Sequence, residues 1–158
     1  MLRMTKLADY GIVLMTHFAS TRPGRVFSAR DLAQDGHVPL PTASKILKSL
    51  SHAGILVSHR GVGGGFSLAR PPSEITVAQI ISALEGPIGL TECSGEPAGT
   101  CGIERLCPVR TNWGRINGVV RDALQGLTLA DMSHPWFPKR AAAGVGLRGG
   151  TPGTGVVS

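Results

Sequence analysis

The sequence predicts a mainly α-helical chain carrying a small β-hairpin wing. Apolar residues recur at helical spacing in several separate stretches, and a glycine-rich turn stands between two short apolar-alternating runs. Hydrophobic residues make up 42% of the chain but aromatics only 4%, so the core must come mainly from Leu, Ile, Val and Ala. At 158 residues there is room for one domain of ordinary size.

The first helix is predicted from an N-cap at Thr5 to about Ala19, with Leu7, Gly11, Leu14 and Phe18 on one face and Pro23-Gly24 beyond it. Ser28 opens a short second helix, with Asp31 in the first turn where the helix dipole favours an acid, Leu32-Ala33 as its buried patch and Gly36 as its stop. Pro41 suits the first turn of a third helix, since its missing N–H would be unpaired there anyway. Ala43, Ile46, Leu47 and Leu50 then form an apolar stripe, and Gly54 supplies a left-handed end. The opposite face carries Thr42, Ser44, Lys45, Lys48 and Ser49, polar and basic with no acid among them.

Residues 55–60 and 66–70 read as the strands of a hairpin around Gly61-Val62-Gly63-Gly64-Gly65. A phosphate-binding loop would need a helix after those glycines, whereas Phe66-Ser67-Leu68 reads as a strand, so the glycines serve the turn. Thr76 and Gln79 form a capping box for a fourth helix whose stripe is Val77, Ile80, Ile81 and Leu84, ended by Gly86-Pro87. A long helix from Pro108 places Val109, Trp113, Ile116, Val120, Ala123 and Leu127 on a heptad seam, with Gly114 and Gly118 permitting close backbone approach. Such a seam wants either a partner helix or the chain's own core. Residues 136–158 are expected to be a disordered tail, being Ala/Gly/Pro-rich with little apolar bulk past Pro138.

Helix, short helix, glycine-containing turn, helix and hairpin is the order of a winged helix-turn-helix, here followed by the long dimerisation helix. Its domains are expected at 1–86 for DNA binding, 87–107 for a cysteine loop and 108–135 for the dimerisation helix and a C-terminal turn. Charge agrees: residues 1–72 carry nine Lys/Arg against three Asp/Glu (+6), residues 73–135 four against seven (−3), and residues 136–158 three against none (+3). The basic first part is where a polyanion would bind. Double-stranded DNA would meet Thr42, Ser44, Lys45 and Lys48 of the third helix, with Arg60 and Gly61 at the wing tip, where a guanidinium can enter a narrow minor groove. The other reading is a helical domain with solvated basic faces.

No apolar run approaches the roughly 18–20 residues needed to span a bilayer, and the N-terminus lacks a signal-peptide pattern, so a cytoplasmic protein without membrane partners is expected. No nucleophile–base pair or cofactor loop is visible, which argues against an enzyme and against a small-molecule substrate. The histidines, His17, His37, His52, His59 and His134, read as core or surface residues.

The cysteines stand as Cys93-x7-Cys101-x5-Cys107, all within the loop of residues 87–107. Structural zinc sites favour Cys-x2-4-Cys pairs, and none is present. An odd thiol count in a reducing compartment points to metal or thiol chemistry. Three separated thiolates on a Gly-rich loop can wrap an iron–sulfur cluster; a thiol redox switch, zinc, or three unrelated cysteines are the other readings.

The opening Arg3-Met4-Thr5-Lys6-Leu7-Ala8-Asp9-Tyr10-Gly11, the wing Arg60-Gly61-Val62-Gly63-Gly64-Gly65-Phe66, the three-cysteine loop and the long helix together resemble the IscR/NsrR family of iron–sulfur-dependent winged-helix regulators over residues 1–135. The opening is most similar to the branch that regulates SUF cluster-assembly genes. The resemblance implies a homodimer joined through the long helix, binding of palindromic promoter DNA, and repression governed by a cluster on Cys93, Cys101 and Cys107. One departure bears on the fourth ligand. IscR-like members place a histidine three residues after the last cysteine, where this chain has Arg110, and a guanidinium cannot ligate iron. NsrR-like members use an acidic residue of the first helix from the other subunit, and Asp9 holds that position. Asp9 reads equally as a helix-start acid stabilised by the dipole, and Glu92, Glu96 and Glu104 lie nearer in sequence.

Overall fold

A computed structural model describes residues 3–94, 101–103 and 105–134. The expected tail at 136–158 and the alternative ligands Glu96 and Glu104 lie outside the described residues. The helices are α1 (Lys6–Ala19), α2 (Ala29–Asp35), α3 (Leu40–His52), α4 (Val77–Glu85), α5 (Arg110–Gln125) and α6 (Leu129–Met132), with strands β1 (Leu56–His59) and β2 (Gly65–Leu68).

The caps fall where the side chains call for them. Thr5 accepts from the Ala8 N–H and Ser28 from the Asp31 N–H, and Thr76 and Gln79 close a reciprocal capping box. The Thr5 hydroxyl also donates to the Glu85 carboxylate, tying the start of α1 to the end of α4. Gly54 takes the left-handed conformation (φ +71°) after α3. Gly36 does not: its φ is −83°, and the left-handed residue is His37 at +51°. Gly36 is small for another reason, since a Cβ there would stand 3.0 Å from Leu14 Cδ2 and 3.1 Å from the Leu32 carbonyl.

Leu14, Phe18, Leu32, Ala33, Ala43, Ile46, Leu47, Leu50 and Ile80 fill one core, as their periodicity requires, together with Met15, Phe27, Ile55, Leu56 and Ile75. The hairpin is antiparallel, Leu56 facing Leu68 and His59 facing Gly65. Phe27 extends it: its N–H donates to the Phe66 carbonyl (2.9 Å) and its carbonyl accepts from the Phe66 N–H (2.8 Å). A Cβ on Gly65 would lie 2.1 Å from the Phe27 carbonyl oxygen, so only glycine allows this approach.

The chain after the long helix differs from the sequence expectation. Helix α5 begins at Arg110, not at Pro108, and ends at Gln125, so Val109 and Leu127 at the two ends of the seam fall outside it. The cause at the C-terminal end is a return to the core. Val77 N–H donates to the Leu127 carbonyl (2.9 Å), Leu129 N–H donates to the Ile75 carbonyl (2.8 Å), and Thr76 pairs with Thr128. Leu129, on α6, is fully buried in the winged-helix core. Burying a leucine outweighs one more exposed helical turn.

Candidate functional site

The outward face of α3 carries Lys45 and Lys48 exposed and Thr42, Ser44 and Ser49 half-buried, because the helical period that buries Ala43, Ile46, Leu47 and Leu50 turns these outward. Arg60 and Gly61 are exposed where β1 leaves the sheet. Gly61 (φ +94°) and Gly63 (φ +77°) hold the tight turn, closed by a Gly64 N–H to Gly61 carbonyl bond of 3.0 Å. The wing is braced beside its turn, where His59 Nε2 lies 2.8 Å from the hydroxyl of Ser67, itself buried. The outward face of α3 and the wing are thus two basic, solvent-facing projections on one core, a shape that a duplex groove and its phosphates can accept.

Beyond α4 lies the cysteine segment. Cys93, Cys101 and Cys107 are free thiols, each half-buried. Cys93 sits in a single 3-10 turn (Glu92–Ser94), its Sγ 3.2 Å from Thr91 Oγ1, while Cys107 precedes α5 and its carbonyl accepts from the Arg110 N–H at 3.4 Å. The donor chemistry fits an iron–sulfur core: three thiols on one segment, sheltered without being sealed. Among the described residues no three Cys, His, Asp or Glu side chains stand together at metal-ligand spacing, so the thiols are not preassembled. Asp9 is exposed in the first turn of α1, open to solvent.

Sequence reasoning missed Asn117. It is 3% exposed on the inner side of α5, its Oδ1 accepting from the Leu90 N–H (3.2 Å) and its Nδ2 donating to the carbonyls of Ile88 (3.2 Å) and Ser94 (3.2 Å). Leu124 joins Ala8, Val77 and Ile81 in a second apolar cluster beneath the same helix. Beside the Asn117 face, α5 carries exposed apolar residues: Trp113 is 38% exposed, Ile116 46% and Val119 70%. Among the described residues, nothing beyond α5's own backbone and the glycines' chain neighbours lies within 4 Å of where a Cβ on Gly114 or Gly118 would be.

A helix-turn-helix with a paired wing and a basic recognition helix defines a winged-helix DNA-binding protein. The comparisons narrow this. The profile of the Rrf2 family, described as an iron-dependent transcriptional regulator, matches residues 4–135, and the chain belongs to that family. It is 30% identical over 142 residues to Rv1287 of Mycobacterium tuberculosis, a candidate HTH-type transcriptional regulator, covering 89% of this chain and 87% of the relative. Among solved structures it is similar to CymR, the global cysteine regulator of B. subtilis (TM-score 0.66, 28% identity, 84% of this chain and 97% of that one). It is also similar to T. potens IscR (TM-score 0.64, 26% identity, 83% and 85%). The chain is therefore a DNA-binding transcriptional regulator, not an enzyme. No helix among the described residues is long and apolar enough to cross a membrane.

Proposed function

We propose that the chain acts as a homodimeric repressor of SUF-type cluster-assembly genes, its affinity for palindromic promoter DNA set by an iron–sulfur cluster on Cys93, Cys101 and Cys107. The observation that carries this reading is the set of three free, half-buried thiols on the segment joining α4 to α5. Kinship with a family described as iron-dependent, and with IscR among its solved structures, supports the same reading. A bound cluster would supply sensitivity to iron supply and oxidants. The protein's own part is to hold the thiolates, shelter them, and turn their gathering into a shift of α5 relative to the winged helix.

In this reading Thr42, Ser44, Lys45 and Lys48 enter the major groove or grip its flanking phosphates, and Arg60 and Gly61 approach the minor groove. The apolar side of α5, centred on Trp113 and Ile116, meets its copy in the second subunit. Asp9 from the partner's α1 completes the ligand set; carboxylate oxygen is a harder, more labile ligand than thiolate, which suits a sensor. The test is anaerobic reconstitution of the wild type and of Cys93→Ala, Cys101→Ala, Cys107→Ala and Asp9→Asn. Each cysteine change should remove nearly all cluster absorption, and Asp9→Asn should weaken cluster stability. Full iron and sulfide in any variant removes that residue from the site.

The likeness to CymR, the global cysteine regulator of B. subtilis, and to the oxidised form of CymR from Staphylococcus aureus favours one other reading, a thiol switch without a cluster. A colourless anaerobic preparation whose DNA affinity responds to oxidant through the same thiols would establish it.

A further inference from the structure

We infer that Asn117 is a positioning residue that locks the Cys93 turn onto the middle of α5. The link to cluster occupancy rests on the function proposed above; the lock itself does not. Asparagine is a poor choice inside a helix, because its side chain competes for nearby backbone. Here it makes no bond within α5. Its one acceptor and both amide hydrogens go to backbone groups 23 to 29 residues away, at Ile88, Leu90 and Ser94. Those partners bracket Cys93 on both sides, and the turn between them is closed on itself, with Thr91 N–H donating to Ser94 Oγ (3.0 Å) and Ser94 N–H to the Thr91 carbonyl (3.0 Å).

The consequence is directional. No residue from Leu90 to Ser94 belongs to either apolar cluster, so the carboxamide is a polar tie that fixes where Cys93 stands relative to α5. Only a group that accepts once and donates twice satisfies all three backbone partners. Aspartate keeps the acceptor and loses both donors, alanine loses everything. Trp113 and Ile116 of the open apolar seam stand within about one turn of Asn117 on the same helix, so a displacement of the Cys93 turn is felt beside that seam.

The test uses the full-length, cluster-free protein, with Asn117→Asp and Asn117→Ala, and reads the alkylation rate of each cysteine by mass spectrometry. Cys93 should react roughly tenfold faster in both variants, the effect of losing about one net hydrogen bond from a local opening equilibrium. Cys101 and Cys107 should keep their wild-type rates. An unchanged Cys93, or an equal rise at all three cysteines, overturns the lock. In the wild type the Leu90 amide, which belongs to no helix or strand, should exchange hydrogen as slowly as the amides of α5, and rapid exchange overturns the lock without any variant. After reconstitution the variants should bind less iron per subunit than wild type. If the alkylation pattern holds and the wild type itself takes up no iron, the positioning role stands and the cluster reading fails.

Discussion

Lys45 and Lys48 are exposed, basic and about five-sixths of a turn apart on a helix whose other side is buried, so each is placed to meet phosphate. Changing either to alanine should weaken binding to every sequence and reduce the slope of log affinity against log salt by roughly one unit. Arg60 differs by standing on the wing. Its replacement by alanine should cost most at sites with a narrow A·T minor groove, and equal loss on all sequences would make it an ordinary phosphate contact. The alternation of apolar and polar positions made the outward face of α3 legible in the sequence. Asn117 was not legible, because its three partners come from a stretch with no periodicity, and one polar residue in a helical pattern looks the same whether it faces water or a buried loop.

At the level of elements, helices announced by a capping residue and a full apolar stripe formed where expected, and the seam's ends did not, because pairing of residues 127–129 with 75–77 competes with further helix. Helix α6 shows what holds that return in place. Asp131 accepts from the Thr128 hydroxyl (2.6 Å) and the Thr128 N–H (2.8 Å), and these bonds, the hydroxyl's foremost, hold its carboxyl below the ordinary 3.8. A lowered carboxylate pKa contributes stability that is present above its ordinary value and lost as pH falls through the lower, folded one. The thermal midpoint of wild type should therefore exceed that of Asp131→Ala at neutral pH, with the gap closing below about pH 3.8; a gap that persists in acid would assign the effect to packing. Leu129 itself is fully buried, and Leu129→Ala should cost about 2–5 kcal/mol in chemical denaturation.

For the whole molecule, two surfaces and one turn have to work together: the basic projections, the open side of α5, and the Cys93 turn packed against that helix. If α5 is the dimer seam, Ile116→Asp should convert the dimer to monomer in sedimentation and abolish binding to a palindromic site while leaving helical content intact, since a charge in a seam of this kind is left unpaired and desolvated. The fold could be read from local pattern. The sensing site could not be read to the same depth, because cysteine spacing fixes which atoms are available and says nothing of how the segment closes. The most direct measurement of the account is the affinity of the anaerobic protein for one palindromic operator, at fixed salt, with and without its cluster, beside the Cys101→Ala variant. The two wild-type forms should differ by tenfold or more, roughly the lower range of allosteric coupling, and Cys101→Ala should bind like the cluster-free form under both conditions. Equal affinity of the two wild-type forms would contradict it.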